Sequence, residues 1–413
     1  MRSLSSKDTM LIQPPAARAC ALLEGAGHAA FVVGGCVRDT LMGRPCHDWD
    51  VATSALPDET MRVFRGCRAI ATRLRHGTVT VLLDGEPIEI TTFRTEGSYS
   101  DGRHPDGVRF AASIEEDLSR RDFTMNAVAY SARAGFVDPF GGREDIARGV
   151  IRCVGDAQTR FSEDGLRILR AVRFASQLGF DVGRGTEEGL YRCAGMLGRI
   201  SAERKASELE KLLCAPFAAQ TVGRLAPLLR TVLPVSANAA ALLSRLPASR
   251  TLRFAALLSD CAPQDAQDVL RGLKTDKKLL TAVGTLLSAC AEPLPETVPD
   301  LRRAIGRYGA LWEDVLAFRA AFFDEKSPPY RSIAAIRRET EAVLARNDCC
   351  TAAALAIGGN DLRGLGLAGP EVGRTLRRLL DAVIDGRLPN ERKALLDVVN
   401  TTSVGQPTSN EKR

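Results

Sequence analysis

The sequence lacks long apolar runs and lacks any spacing of cysteine and histidine that is typical of a metal centre. No run of eighteen or more apolar residues occurs, which excludes a helical membrane span. Residues 1–18 carry polar side chains and prolines where a secretory signal needs an apolar core, so we expect a cytosolic protein. The eleven cysteines are scattered, without a CxxC pair or a Cys/His cluster. We therefore expect reduced thiols and no zinc site.

The chain also lacks a strong charge of either sign. Its 413 residues include 56 Lys and Arg against 50 Asp and Glu, a formal net charge of +6 that favours an anionic partner only slightly. Long stretches use arginine, whose guanidinium suits phosphate oxygens and base edges, although a GC-rich codon bias explains that preference equally well. A hydrophobic content of 45% is ordinary for a globular protein, and the length allows two to four compact units.

The first 150 residues alternate between strand and helix patterns, which predicts a mixed α/β unit with a small sheet. The predicted elements are a helix over 14–27, a strand over 29–33, a helix over 37–42, a strand over 49–53, and a hairpin with strands over 78–83 and 88–93.

From residue 160 onward the apolar spacing is helical, with no fixed-period repeat. The clearest predicted helices are 163–178, 203–215, 251–259, 266–273, 277–290, 333–346 and 371–384, with proline-containing breaks at 216, 225–234, 293–299, 328–329 and 389. The polar last residues predict a disordered end. The expected architecture is an α/β head followed by helical segments only.

One segment combines features that suit chemistry at phosphorus. In a strand, side chains two residues apart share a face, so Asp48 and Asp50 can present two carboxylates side by side. Such oxygen ligands suit Mg²⁺, which can stabilise the attacking and leaving oxygens of an in-line displacement. Gly34 and Gly35 let backbone N–H groups approach a triphosphate, and Arg38 in the next helix can clamp it. A DxD pair alone is usually a surface turn, but this order of elements predicts a phosphoryl-transfer site.

Two further segments offer candidate residues, each with a structural alternative. Glu89 is predicted to point away from its apolar neighbours, either as a third catalytic carboxylate or as a solvated residue of an edge strand. In segment 117–127, Arg121 suits a triphosphate and Asp122 suits ribose hydroxyls, with Asn126 as a neutral orienting group. The alternative is a helix N-terminus at which Asp122 caps Met125.

The segment EDGLRILRAVRF at 163–174 indicates recognition of a base. On a helix, Asp164 and Arg167 are neighbours at i and i+3, and together they offer an acceptor and a fork of donors. That pair matches cytosine or adenine and matches guanine or uracil poorly. Arg170 and Arg173 follow at the same spacing and turn toward another face, where phosphates can be held. The alternative is an ordinary salt bridge on a helix surface.

Together these segments resemble the class II tRNA nucleotidyltransferase family, which comprises CCA-adding enzymes and bacterial poly(A) polymerases of the polymerase-β superfamily. The similarity is specific over about 180 residues and weak after residue 215. The matching motifs, in chain order, are GGCVRD…HDWDVAT, DLSRRDFTMNAVA, DPFGGREDI, EDGLRILRAVRFASQLGF and RISAERKASELEKLL.

The resemblance implies roles for residues at the matching positions. Asp48 and Asp50 would hold Mg²⁺, and Gly35 with Arg38 would hold the triphosphate. Arg121 and Asp122 would lie at the sugar and phosphate. Asp164 and Arg167 would pair with the base of incoming CTP or ATP, with Arg170 and Arg173 holding phosphate or the surroundings of the base. The polar segment 94–110 would be the flexible loop that the family needs for switching to ATP.

Within the family, the sequence predicts a CCA-adding enzyme that acts on the 3′ end of tRNA. Segment 71–79 resembles the CCA-adding type and lacks the arginine-rich stretch of the poly(A) polymerases. All four histidines lie within the first 104 residues of the chain, which excludes a His–Asp phosphohydrolase site in the helical half. A poly(A) polymerase, a partial enzyme that adds only CC or only A, and a catalytically silent RNA-binding protein stay as alternatives.

The resemblance also implies a domain plan, in which the helical body and tail grip tRNA. The expected segments are an N-terminal helix within 1–27, a nucleotidyltransferase head over 28–150, neck helices for base recognition over 151–215, a helical body and tail over 216–400, and a disordered tail over 401–413.

Overall fold

A seven-stranded mixed sheet forms the first part of the chain, as seen in a computed structural model that describes residues 9–46, 48–73, 77–96, 108–323 and 325–403. The strands are β1 Ala30–Val33, β2 Asp50–Thr53, β3 Arg68–Arg73, β4 Thr78–Leu83, β5 Glu86–Thr92, β6 Arg94–Glu96, β7 Val108–Phe110, β8 Ala129–Ser131, β9 Gly135–Val137, β10 Val150–Ile151 and β11 Asp181–Val182.

The order in the large sheet is β3-β4-β5-β2-β1-β8-β9. Only the β2–β5 pair is parallel, and its register places Asp50 opposite Glu89. Strand β1 is buried along its whole length because both of its faces are covered. Ala30 and Val32 belong to one apolar cluster, whereas Phe31 and Val33 belong to a second cluster. The continuous apolar sequence of β1 is therefore what a central strand requires.

Helices follow or flank these strands, and after residue 182 the described chain has helices and turns only. They are α1 Pro14–Gly25, α2 Gly35–Leu41, α3 Pro57–Val63, α4 Ile114–Ser119, α5 Gly142–Arg148, α6 Ala157–Glu163, α7 Leu166–Leu178, α8 Arg184–Arg192, α9 Ala202–Leu213, α10 Ala218–Leu229, α11 Ala239–Arg245, α12 Arg250–Leu257, α13 Pro263–Gly272, α14 Lys277–Cys290, α15 Val298–Tyr308, α16 Trp312–Ala320, α17 Pro328–Ala345, α18 Gly359–Gly364, α19 Pro370–Ile384 and α20 Arg392–Ser403.

The predicted fold class is confirmed, with four local corrections. Strand β11 pairs with β10 inside the part that was predicted to hold helices only. The predicted helix over 163–178 is two helices, α6 and α7, with residues 164–165 between them. The predicted break over 225–234 begins instead as a kink at Leu225 inside α10, two residues before Pro227. Residues 401–403 continue α20 and do not belong to a disordered tail. Residues 404–413, 1–8 and most of the predicted loop, 97–107, lie outside the described residues; the loop's ends pair as β6 and β7.

The chain divides into two compact units. One comprises Met1–Ser244, Ala248–Cys261 and Asp268–Asp276, and the other comprises Arg245–Pro247, Ala262–Gln267 and Lys277–Arg413. An apolar cluster of the second unit joins α18, α19 and α20 through Leu362, Leu379 and Leu395. In the part of the chain that the structure describes, no helix has both the length and the apolar character needed to cross a bilayer. The domain boundaries proposed from the sequence stay a prediction.

Candidate active site

The first unit contains an open cleft of about 760 Å³ that collects most of the residues predicted for the site. Its walls come from α2 and the residues around it, the start of β2, the residues after α4, the segment before β8, the residue after α6, and α7 and α9. The lining residues are Gly34, Gly35, Arg38, Asp39, Pro45, Cys46, Asp48, Asp50, Arg120, Arg121, Asp122, Asn126, Asp164, Leu166, Arg167, Arg170, Arg173, Phe174 and Arg204.

Three carboxylates lie around the start of β2. Asp50 is the first residue of the strand and Asp48 precedes it, and both are exposed where they line the cleft. Trp49 between them is buried in the core of the sheet, which fixes the backbone of the pair. Glu89 lies opposite Asp50 on β5 and is exposed, but it is not among the residues that line the cleft. Because β5 pairs with β4 as well as with β2, Glu89 does not lie on an edge strand, but its side chain is solvated as the structural alternative expects. A catalytic role for Glu89 stays a prediction.

The carboxylate of Asp50 has a pKa raised to about 6, first because protein atoms displace water around it and then because Glu89 and Asp48 add negative charge, while Arg121 opposes the shift. Within the described ranges, no three or more His, Cys, Asp or Glu side chains form a complete metal site. A donor set of two exposed carboxylates fits a hard divalent cation that takes its remaining ligands from water and substrate phosphates. The residues present therefore fit Mg²⁺ better than a metal that requires a full protein cage.

Gly34 brings an arginine close to the backbone beside these carboxylates. Its φ of +78° belongs to the left-handed region that favours glycine. A Cβ at this position would lie 2.9 Å from Nη1 of Arg121. Gly35 then begins α2, which carries Arg38. Gly34 therefore keeps the wall of the cleft free of a side chain where Arg121 crosses it.

A buried chain of polar contacts crosses the floor of the cleft. Arg38 donates Nε and Nη2 to the two carboxylate oxygens of Asp39, at 2.9 and 3.0 Å, and Nη1 to Oδ1 of Asn126 at 2.7 Å. Asn126 donates Nδ2 to Oδ1 of Asp122 at 3.0 Å, and Arg170 donates Nε to Oδ2 of Asp122 at 2.8 Å. Asn126 therefore links Arg38 to Asp122, while its predicted role as a neutral orienting group stays a prediction.

These polar contacts keep the carboxylate of Asp122 ionised. Burial alone would raise the pKa of its carboxyl, but the charge of Arg170 and hydrogen bonds from Asn126, Arg170 and the backbone N–H of Phe123 outweigh it and lower the pKa to about 2. Asp122 accepts from the N–H of Phe123 rather than from that of Met125, so the capping alternative is wrong. Arg121 is held separately, since Nη2 donates to Asp117 at 3.1 Å.

The predicted base-recognition pair lines the cleft, but not as two residues of one helix. Asp164 has an extended backbone and lies before α7, where Oδ1 accepts from the N–H of Leu166 at 3.0 Å. A Cβ at Gly165 would lie 2.9 Å from Cβ of Met196, so this close approach needs glycine. The sequence missed the break because the apolar spacing continues across it.

The partners of the pair also differ from those that the sequence indicates. Asp164 accepts from Nη2 of Arg204 on α9 at 2.9 Å. Arg167 donates Nη1 to Glu163 at 2.5 Å and Nη2 to the carbonyl of Arg120 at 3.1 Å. Both side chains are therefore fixed by neighbours from separate elements, which the sequence pattern of α7 alone could not identify.

The other two arginines of α7 lie around an aromatic ring that the sequence did not single out. The Cζ atoms of Arg173, Arg38 and Arg170 lie 4.0, 5.2 and 5.4 Å from the ring centroid of Phe174. Arg173 also donates Nε to Glu208 at 2.5 Å. Both Arg170 and Arg173 line the cleft as predicted, but each guanidinium is bound to a carboxylate of the protein.

Comparison with known proteins places these features in a family. The model of the "Poly A polymerase head domain" matches residues 30–152, that of the "Probable RNA and SrmB- binding site of polymerase A" matches 179–239, and that of "tRNA nucleotidyltransferase domain 2" matches 247–399. The CCA-adding enzyme of Geobacillus stearothermophilus is 40% identical over 381 residues, which cover 89% of this chain and 92% of that enzyme. The CCA-adding enzyme of Lactiplantibacillus plantarum is 37% identical over 390 residues, covering 91% and 93%.

Solved structures show the same similarity. The crystal structure of the Bacillus stearothermophilus CCA-adding enzyme in complex with CTP matches with a TM-score of 0.77 and 37% identity, covering 96% of this chain and 100% of that chain. The Thermotoga maritima CCA-adding enzyme complexed with tRNA matches with a TM-score of 0.68 at 20% identity, covering 95% and 96%. The second similarity shows a shared fold.

Proposed function

The chain belongs to the family of CCA-adding tRNA nucleotidyltransferases, and we propose that its cleft adds C, C and A to the 3′ end of tRNA without a nucleic-acid template. The tRNA 3′ oxygen forms a bond to the α-phosphorus of CTP, twice, and then of ATP. In each step the bond from that phosphorus to the bridging oxygen breaks, pyrophosphate leaves, and the hydroxyl proton passes to solvent. The reaction requires a polynucleotide end and a triphosphate to meet beside residues that select the base.

The observation that carries this proposal is that one cleft brings together phosphoryl-transfer and base-pairing groups. Asp48 and Asp50 come from the head, whereas Asp164 and Arg167 come from the helices after it, and all four line the same walls. A generic phosphoryl-transfer site needs only the first pair. The second pair makes the cleft selective for one edge of a base.

We assign the triphosphate to the wall formed by Gly34, Gly35, Arg38 and Arg121. The arginines supply charge-assisted hydrogen bonds, which are stronger than neutral ones. We assign Mg²⁺ to Asp48 and Asp50; when bound, the ion offsets the negative charge of the triphosphate and of the attacking oxygen. Asn126, Asp122 and Arg170 hold Arg38 in place, so we assign them positioning roles, with Asp122 near the sugar.

Base selection follows from the hydrogen-bonding groups of one pair. Asp164 offers acceptor oxygens and Arg167 offers donors, which match a base edge with one amino group beside ring acceptors. Cytosine and adenine have such an edge, whereas guanine and uracil present the opposite groups. The contacts of Arg204 and Glu163 fix the orientation of the pair before a nucleotide enters. Arg173 lines the same cleft and is assigned to the phosphates or to the surroundings of the base.

The second part of the chain is assigned to tRNA. Residues 247–399 match a tRNA nucleotidyltransferase domain model. We propose that these helices hold the acceptor end of tRNA by its backbone, since contacts with phosphates position a protein on a nucleic acid without reading its sequence. The substrates CTP, ATP and tRNA make the cytoplasm the proposed location.

The test is incorporation with a tRNA that lacks its three terminal residues. With Mg²⁺ and CTP alone we expect two additions, and with CTP followed by ATP we expect one further A. Long A tails would show a poly(A) polymerase, and a halt after CC in the presence of ATP would show a partial enzyme. Either result would contradict the proposed product.

Carboxylate variants test the assigned chemistry separately from RNA binding. Asp48→Asn and Asp50→Asn should lower incorporation by more than about a hundredfold, while tRNA binding in a filter assay stays close to that of the unchanged chain. Asp58→Asn, at an exposed position of α3 outside the cleft, is the matched control and should retain activity. Normal incorporation by Asp48→Asn would show that the metal assignment is wrong. Nucleotide incorporation by Glu89→Gln tests whether this third carboxylate contributes to catalysis.

A further inference from the structure

A second cavity of about 490 Å³ adjoins the cleft on the other side of Arg38. Arg38, Asp39 and Pro45 line both spaces and form the wall between them. The outer walls of the second cavity include Arg44 and Lys211. None of the base-selecting or metal-assigned residues lines it, so it is a separate compartment that adjoins the cleft.

The charge in this compartment is positive. Its only acidic lining residue is Asp39, and both oxygens of that carboxylate accept hydrogen bonds from Arg38. Arg44 donates to the carbonyls of Gln177 and Leu178 at 3.3 and 3.4 Å, and these neutral acceptors leave its charge uncancelled. Lys211 is exposed on α9.

Among the described residues, no carboxylate forms an ion pair with Arg44 or Lys211. Two uncancelled cations in a concave space raise the local potential and attract a small anion.

We propose that this compartment receives the pyrophosphate that leaves the cleft after each addition. The inference rests on the proposed function, which places the triphosphate against Arg38. The leaving group carries high negative charge and, in the proposed function, is released beside Arg38, which also lines the compartment. Arg44 and Lys211 then supply the cations that offset its charge during exit.

The same reasoning predicts a role in the reverse reaction. Pyrophosphate that enters through this compartment arrives at the side of the α-phosphorus from which it left. A loss of positive charge here should therefore weaken inhibition by pyrophosphate and slow the pyrophosphate-dependent removal of the terminal A. Phosphates of an RNA strand are the other source of such an anion, and the test separates the two.

The experiment measures the inhibition constant of inorganic pyrophosphate during CTP addition, divided by the KM for CTP, in the full-length chain. Lys211→Glu should raise this ratio by about fivefold or more, because an exposed charge pair contributes up to roughly that factor and the new glutamate repels the anion. Lys211→Arg should restore the ratio to within about twofold. Arg44 is left unchanged because its contacts at the end of α7 also support the fold.

Lys205→Glu is the matched control, since it reverses a charge on the same helix outside both cavities. Its ratio should equal that of the unchanged chain. An unchanged ratio in Lys211→Glu overturns the proposal, as does a raised KM for tRNA with an unchanged ratio, which would assign the compartment to RNA phosphate. Failure of the unchanged chain to add C or A would instead contradict the proposed function.

Discussion

Phe174 shows how a single apolar side chain can organise the charged wall of the cleft. Three guanidinium groups lie within 5.4 Å of its ring, and Phe123 packs edge-on against it at 5.8 Å. A cation over an aromatic face is attracted to the ring by about 0.5–2 kcal/mol, depending on its hydration. The ring therefore offsets part of the repulsion between cations that would otherwise separate.

Replacing that ring should weaken nucleotide binding more than it weakens the fold. We expect Phe174→Leu to raise the KM for CTP roughly tenfold, because Arg38 and Arg170 lose a shared contact and become less ordered. Phe174→Tyr keeps the ring and should stay within about twofold. Steady-state kinetics of both variants provide the measurement. Equal KM values for the leucine and tyrosine variants would show that the ring contributes only apolar packing.

The environment of Asp122 supports a second prediction at the scale of residues. It lowers the pKa of the carboxyl from 3.8 to about 2 in the folded chain. A carboxyl with a lowered folded pKa contributes stability above its unfolded pKa and loses that contribution as the pH falls toward the folded value. The contribution should therefore be complete above about pH 5 and should disappear between about pH 4 and pH 2.

The measurement is urea unfolding of the unchanged chain and of Asp122→Asn across this range. At pH 7 the variant should be less stable by about 2 kcal/mol, since a shift of this size corresponds to that free energy. The part of the difference that comes from ionisation should vanish near pH 2. A difference that stays constant from pH 7 to pH 2 would contradict the ionised state that we assign to Asp122.

At the scale of elements, the start of α5 is fixed by a contact that only glycine permits. A Cβ on Gly142, the first residue of α5, would lie 2.0 Å from the carbonyl oxygen of Thr124. Thr124 begins the short 3₁₀ turn that carries Asn126, so α5 supports the floor of the cleft directly. The helix cannot shift away without moving that turn.

Gly142→Ala should therefore destabilise the first unit by several kcal/mol, as overpacking of a rigid backbone contact does. Gly185→Ala is the matched control, because Gly185 lies in the first turn of α8 with nothing within 4 Å of the added Cβ. The control should leave stability unchanged or raise it by up to about 1 kcal/mol. The measurement is thermal unfolding of the two variants. Equal stabilities would show that α5 can move to accept the methyl group.

Elements with a strong local pattern could be predicted from the sequence, and their junctions could not. The predicted helix over 277–290 has the bounds of α14, because its apolar period and its ends agree. The strand before Gly34 and the carboxylates after it were also found, since both depend on short local patterns. The break at Asp164 was missed because it depends on Met196, which is distant in sequence and approaches Gly165. The partners of Asp164 and Arg173 were missed for the same reason, as Arg204 and Glu208 lie on α9.

At the scale of the molecule, the proposed function assigns a different kind of substrate contact to each of the two compact units. All residues that line the cleft belong to the first unit, and so do those of the adjoining compartment. The tRNA nucleotidyltransferase domain match begins at residue 247 and covers most of the second unit. A nucleotide alone should therefore stabilise one unit, whereas tRNA should stabilise both.

Hydrogen exchange of the whole chain tests this division. With Mg²⁺ present and CTP at a hundred times its Kd, nucleotide binding adds about 2.7 kcal/mol to the stability of the folded state that binds CTP. We expect slower exchange in peptides from β2 and α7 and no change in peptides from α15 to α19. A tRNA lacking its terminal residues should slow exchange in the second set as well.

Salt supplies the final distinction between the two ligands. Contacts with many phosphates weaken steeply as salt rises, because bound counterions are released when RNA binds. Protection of the second unit by tRNA should therefore decline between about 50 and 200 mM salt much more than protection of the cleft by CTP, which also depends on fixed hydrogen bonds to one base. Protection of α15 to α19 by CTP alone would show instead that nucleotide binding stabilises the second unit too. Binding of CTP or ATP would then influence how the enzyme holds its tRNA.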